Sequence, residues 1–434
     1  MNILILSSPH PFKIAGVVAL DIYKGLKEIE GNEVKMVVKV WDNYPEKDII
    51  PIDTFYGDIK ARIIRKLQKE LLKYEILKET PLVTNPDYQV LDYDLSVNYY
   101  STNKILKKAK IRPDVIIVLF MLNYISYKNL YELNVRTGAK IFLFPMDMAP
   151  FTGGCHYAWD CERYTQQCGK CPALYSTDSK DQSFKNLSFN KDLIEKTNVS
   201  LFACNLQIAD QIRKSSIFKG KEVTDGIYPV PDETVFYSRD KKAARDYFKI
   251  EKDKKVFFFG SYSLVHKRKG MIVLLDALKI VSEELNNKHY DTSKILLLVA
   301  GLNYEQIAKN IPFESKYIGF IQDYNELALA YSAADFYISP SLEDTGPTMV
   351  LQSMMCKTPV IAFNIGYANE FIQDKVNGFV AHERNSNTLA DCIINAIQLS
   401  LDSYLLFCLK LVDVKRKVNK NEVIHKIIKA INII

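Results

Sequence analysis

Residues 339–362 read SPSLEDTGPTMVLQSMMCKTPVIA, and the fold is decided here. A β-branched run, Phe336–Ser339, ends in Pro340-Ser341, and the acidic pair Glu343-Asp344 follows. Gly346-Pro347 then opens a helical pattern over Thr348–Cys356, and Thr358-Pro359 leads into a second apolar run, Val360–Phe363. Two continuous apolar strands joined through a helix form the repeating unit of a buried parallel sheet. Proline is expected at the first helical position, where its missing N–H would have no partner.

Similar runs recur on the N-terminal side. Asn2–Ser7, Val34–Val40, Val115–Phe120, Lys140–Phe144 and Val199–Cys204 form one series, and Val256–Phe259, Ile295–Ala300 and Lys316–Ile318 extend the second. Amphipathic stretches such as Lys269–Ser282 and Tyr324–Ala334 lie between them. Two series, each of about 200 residues, predict two doubly wound α/β domains rather than one large sheet. Two prolines and a charge cluster in Ile227–Thr234 interrupt the periodicity. The expected division is therefore an N-terminal domain over 1–230, a C-terminal domain over 231–415, and a last helix within 416–434 that packs back on the N-terminal domain.

The 434 residues are 48% hydrophobic and 25% charged, which excludes a disordered chain. A net charge of +6 suits anionic ligands or lipid surfaces and is too weak to argue for nucleic acid. The longest apolar run, Val115–Leu122, has eight residues, whereas a membrane span needs about 20. No basic residue precedes Lys13, so a signal peptide is not expected, the location is read as cytoplasmic, and the eight cysteines are expected to be reduced.

Two segments of the second domain carry chemistry. Gly260 ends a Phe-rich strand run, and Lys267-Arg268-Lys269-Gly270 follows a short loop. Cations between a strand end and a helix start suit a phosphate; the alternative is a solvated basic turn. In the second segment Asp344 is placed to bond sugar hydroxyls, and the amides around Gly346, Thr348 and Met349 are placed to face an anion. A plain N-capping acid is the alternative.

Together these residues resemble the retaining, family-4-type glycosyltransferases of the GT-B fold, in which two Rossmann-like domains face across a cleft. Pro340-Ser341, Asp344, Gly346, Gln352 and Thr358-Pro359-Val360 occupy the places of that family's motif. Arg268-Lys269-Gly270 matches its diphosphate clamp, and Tyr331–Asp335, Gly366, Glu370 and Asn377-Gly378 match the flanking motifs. The resemblance implies catalytic roles for Asp344, Lys269 and Arg268. It implies donor contacts from Gly260, Glu343, Gly346, Pro347, Thr348, Met349, Gln352 and Glu370. Four places depart from the pattern: Asp344 stands for a first Glu, Gln352 replaces a second acid, Lys357 a glycine before Thr358, and Tyr367 a glycine after Gly366.

In the first domain, Cys155, Cys161, Cys168 and Cys171 fall within 17 residues, spaced Cys-x5-Cys-x6-Cys-x2-Cys. This spacing invites a structural tetrahedral zinc site; the alternative is thiols used as packing. The loop Thr152-Gly-Gly-Cys-His-Tyr157 resembles the acceptor-side loop of a subgroup of the same enzymes and implies acceptor roles for Asp147 and His156, with Gly16 in the first loop. Met146 stands where that subgroup has His. A helical pattern at 58–79 with a net charge of +3 is read either as an in-plane contact with anionic lipid or as an ordinary surface helix.

The expected function is transfer of a sugar, with retention, from a nucleotide-diphosphate-sugar donor to a sugar or lipid-linked oligosaccharide acceptor in bacterial surface polysaccharide synthesis. No catalytic cofactor is expected, because Lys, Arg and a helix dipole supply the counter-charge. The alternative is a catalytically weakened GT-B subunit that scaffolds a polysaccharide-synthesis complex.

Overall fold

A computed structural model describes residues 1–13, 16–53, 84–85, 87–89 and 95–432. The basic helical pattern at 58–79 lies outside the described residues. The chain divides into two compact units, Met1–Tyr228 with Lys420–Ile434, and Pro229–Asn419.

The first unit is built on a parallel sheet of β1 (Asn2–Ser7), β2 (Glu33–Val38), β3 (Ile49–Pro51), β4 (Val115–Leu119), β5 (Lys140–Phe144), β6 (Val199–Phe202) and β7 (Val223–Thr224). Their order is β3-β2-β1-β4-β5-β6-β7. Strands β1 and β4 are sealed on both faces, as their unbroken aliphatic sequences require. The helix Lys420–Asn432 packs on the helix Val17–Lys27: Gly25 leaves room for the Ile424 side chain, and Lys420 Nζ reaches Asp21 Oδ1 at 2.9 Å.

The second unit holds β8 (Lys255–Ser263), β9 (Ile295–Leu302), β10 (Glu314–Tyr317), β11 (Phe336–Ser339), β12 (Val360–Phe363) and β13 (Gly378–Ala381). All pair in parallel in the order β10-β9-β8-β11-β12-β13. Its core runs from Phe257 and Phe259 through Leu274, Leu278 and Phe336 to Ile393 and Ile397. Asp335, singled out in the sequence as part of a motif, fastens the helix Lys241–Tyr247 to this sheet. Its carboxylate accepts from Arg245 Nη2 at 2.9 Å, Lys241 Nζ at 2.6 Å and the Val256 amide at 2.7 Å.

Each sheet reverses its winding between two neighbours, β1 and β4 in the first unit and β8 and β11 in the second. In open α/β sheets the crevice beyond the carboxyl ends at such a point is where ligands bind.

Candidate active site

The loops leaving β8 and β11 meet and fasten to each other. Gly270 has φ +72°, and a Cβ there would lie 1.7 Å from the Pro340 carbonyl oxygen, so only glycine fits. The Leu342 amide donates to the Arg268 carbonyl at 2.8 Å. This contact brings Arg268 and Lys269 onto the acidic pair. Arg268 Nη1 donates to Asp344 Oδ2 at 2.8 Å and to the Glu343 carbonyl at 2.9 Å, while Lys269 Nζ reaches the same Oδ2 at 2.6 Å.

Asp344 is buried, and its Oδ1 accepts from the Gly346 amide at 3.2 Å. Burial pushes its carboxyl up, but Lys269 and Arg268 outweigh that and hold it below the usual carboxylate range. Both its oxygens are therefore engaged by the protein, and Asp344 holds two cations here. Burial, then Arg268 and Lys269, push the His266 imidazole below its ordinary pKa, so this ring adds no charge at neutral pH.

Behind the acidic pair, Gly346 and Gly366 approach backbone to backbone: a Cβ on Gly366 would lie 3.0 Å from the Gly346 Cα. The Tyr367 ring covers Gly346, leaving no room for a Cβ there. Thr348 and Met349 form the first turn of the helix Thr348–Met355, and Met349 lies against Gly260 of β8. Pro347 is the N-cap rather than the first helical residue; its ψ of 106° is extended, so the helix starts one position later than the proline rule implied. Glu370 lies in the short helix Tyr367–Phe371. Gln352 is buried, and its Oε1 accepts from the Tyr331 hydroxyl at 3.2 Å, an internal partner that the sequence did not reveal.

Arg384 was not singled out by sequence. It follows β13 and donates to Glu343 Oε2 at 3.3 Å and to the Leu342 carbonyl at 3.0 Å. A cation just past a strand end was its only signal.

In the first unit, His156 Nδ1 lies 2.6 Å from Asp147 Oδ2, and the Ala149 amide donates to Asp147 Oδ1 at 2.9 Å. The loop carrying them is pressed on the helix Gln182–Glu195: a Cβ on Gly153 would lie 2.5 Å from the Ser183 carbonyl oxygen, and Asn186 donates to the Gly153 carbonyl at 3.0 Å. Gly16 caps the helix Val17–Lys27 and sits against the His10 carbonyl.

Cys155, Cys161, Cys168 and Cys171 line one cavity of about 30 Å³, room for about one water. Burial pushes the Cys155 thiol up to about 12 and raises Cys168 and Cys171 as well. As they stand, among the described residues no group of three or more His, Cys, Asp or Glu is placed to hold a metal ion. The tetrahedral set expected from the spacing is not assembled.

Two parallel-sheet, Rossmann-like units in one chain define the class, a GT-B fold. The chain is similar to sucrose-phosphate synthase from Thermosynechococcus elongatus over 99% of its own length and 98% of that chain, with a TM-score of 0.64 and 15% identity. It is similar to Anabaena HepE, solved in complex with UDP, over 100% of both chains, with a TM-score of 0.64 and 16% identity. At these identities the likeness shows the fold. Residues 253–398 match the family described as Glycosyl transferases group 1, so the second unit carries a domain of that group. Alpha-monoglucosyldiacylglycerol synthase of Streptococcus pneumoniae is 36% identical over 114 residues. The match spans 25% of this chain and 25% of that relative's length.

Proposed function

We propose that the protein is a glycosyltransferase that moves a sugar from a nucleotide-diphosphate-sugar donor to an acceptor hydroxyl, with the donor in the second unit and the acceptor in the first. The observation that carries this reading is the cationic pair Arg268–Lys269, held by Asp344 where the second sheet reverses its winding, beside the helix that starts at Thr348. The acceptor oxygen bonds the anomeric carbon as the bond from that carbon to the diphosphate oxygen breaks. The diphosphate leaves with the electron pair and takes the hydroxyl proton. Arg268, Lys269 and the amides at Thr348 and Met349 stabilise the charge that develops on it. Retention at the anomeric carbon and a role in surface polysaccharide synthesis are the finer parts of the proposal, supported by the motif resemblance.

Calorimetric titration with a panel of nucleoside diphosphates, followed by hydrolysis or transfer assays with the matching sugar nucleotides, tests it. Failure of every diphosphate to bind would overturn the reading. Binding without turnover for all donors and acceptors would favour the scaffold subunit, the reading to which the internal engagement of Gln352 lends support.

A structural zinc on the four cysteines is a separate proposal, supported by their gathering on one cavity. It has no part in transfer, and elemental analysis of the purified protein tests it. Peripheral contact with anionic membrane is also proposed, with support from one described helix. No single described helix is long and apolar enough to cross a membrane. The helix Leu401–Lys410 instead exposes Leu401, Leu405 and Leu409, four residues apart on one face, and Lys410, Lys415, Arg416 and Lys417 follow.

A further inference from the structure

The first unit has its own cavity, of about 370 Å³, within the range of small-ligand sites. It opens beyond the carboxyl ends of β1, β4 and β5, with Ser8, Phe120 and Met146 following those strands, at the place where this sheet reverses its winding. Most of the wall is apolar, formed by Val97, Phe120, Met121, Leu122, Ile125 and Phe144 among others; of the hydroxyls that also line it, those of Ser126 and Tyr127 donate to Asn98 and to the Pro150 carbonyl. Phe120 is held at φ +50°, a conformation that a bulky residue keeps only under constraint from its surroundings and that clusters at ligand sites.

His156 lines this cavity with its side chain only 10% exposed. The half-buried Asp147 contact fixes one ring nitrogen, and Nε2 is buried with no hydrogen-bond partner. With Nδ1–H donating to Asp147, Nε2 carries a lone pair and accepts. Leaving a buried acceptor unfilled is costly, and a hydroxyl donor would satisfy it. A free sugar placed here would set several of its hydroxyls against Val97, Phe120 and Leu122, more than the few polar groups of the wall can partner, so its desolvation would not be fully repaid.

We propose that this cavity takes a lipid alcohol, an acceptor with an apolar body whose hydroxyl donates to His156 Nε2. The assignment rests on the glycosyl-transfer reading above and names its acceptor class. Asp147 is a positioning residue: it sets the tautomer and the ring orientation.

The test uses the full chain without donor. Monolauroylglycerol, below the concentration at which it self-associates, is titrated against methyl laurate, which has the chain but no hydroxyl, and against maltose, which has hydroxyls but no chain. Monolauroylglycerol is expected to bind, methyl laurate about tenfold more weakly, and maltose not at all. His156→Phe keeps the bulk of the ring and should erase the tenfold difference. Met121→Glu, with an unchanged unfolding midpoint, should abolish lipid binding. Maltose binding more tightly than monolauroylglycerol, or equal binding of monolauroylglycerol and methyl laurate by the parent, would overturn the assignment; the second comparison needs no variant. UDP titrated into the same preparation separates the two readings. UDP bound without lipid sinks the acceptor class alone, and lipid bound without any nucleotide diphosphate sinks transfer and leaves the cavity assignment standing.

Discussion

Lys269 Nζ stands 2.6 Å from Asp344 Oδ2, and this oxygen is shared with Arg268. The carboxylate thus serves as a resident counter-ion, and an incoming diphosphate must compete with it for both cations. Lys269→Ala should weaken diphosphate binding by about 1.5–3 kcal/mol, the range of a charge-assisted bond. Asp344→Asn should do the opposite for UDP at low salt, tightening it while lowering thermal stability. Calorimetry on both variants checks this, and unchanged UDP affinity in both would remove the phosphate role from this cluster.

The same ion pairs impose a pH dependence. The Asp344 carboxyl is depressed in the folded chain, so the unfolded chain takes up this proton first as acid is added. Its stabilisation is full above the unfolded value of about 3.9 and is lost as pH falls through the lower folded value. Urea unfolding between pH 3 and 7 should show a difference between parent and Asp344→Asn that is constant above about pH 5 and shrinks on the acid side.

Lys357 lies just beyond the helix Thr348–Met355 with φ +59°, the place where the resembling family keeps glycine. A left-handed residue ends a helix well, but a side chain there is strained. Lys357→Gly should raise stability by about 1 kcal/mol, read as a rise of about 2–4 °C in the unfolding midpoint.

Asp335 illustrates a motif residue whose contacts are structural. Removing it leaves the nearly buried Arg245 guanidinium without its carboxylate and the Val256 amide without its acceptor. Asp335→Ala should cost about 3–5 kcal/mol in chemical denaturation. Nucleotide affinity of the protein that remains folded should not change.

The exposed leucines of the helix Leu401–Lys410 give a prediction for vesicles. Leu405→Asp with Leu409→Asp should abolish co-sedimentation with phosphatidylglycerol vesicles and leave nucleotide binding intact, because both side chains face away from the core that Phe407 enters. Retained sedimentation would place any lipid contact elsewhere.

Strands β1, β5, β11 and β12 were legible to the residue because unbroken apolar runs buried on both faces have no polar alternation to blur their ends. The short strands β3 and β7 were not, since two or three residues carry too little pattern to be told from loop. At the site both motifs were legible, but the pairing of Arg268 and Lys269 with Asp344 was not, because the sequence assigns the cations to a diphosphate and the acid to sugar hydroxyls. Arg384 escaped because its contact with Glu343 joins the loop after β13 to the loop after β11, two segments that share no local spacing. The Tyr331–Gln352 bond was equally hidden: it joins two helices across the core, where sequence shows only a tyrosine and an amide of unremarked partners.

The docking of Lys420–Asn432 on Val17–Lys27 sets an order of events during synthesis. Residues 229–419 are an uninterrupted stretch, so that unit needs no segment made after it to complete its core. The first unit, begun earlier, keeps the Val17–Lys27 helix uncovered until residues 420–432 emerge. Its Gly25 notch, which admits Ile424, stays open through that interval. A helix face awaiting its last partner is a place for a chaperone to grip, and the part made first is the part finished last.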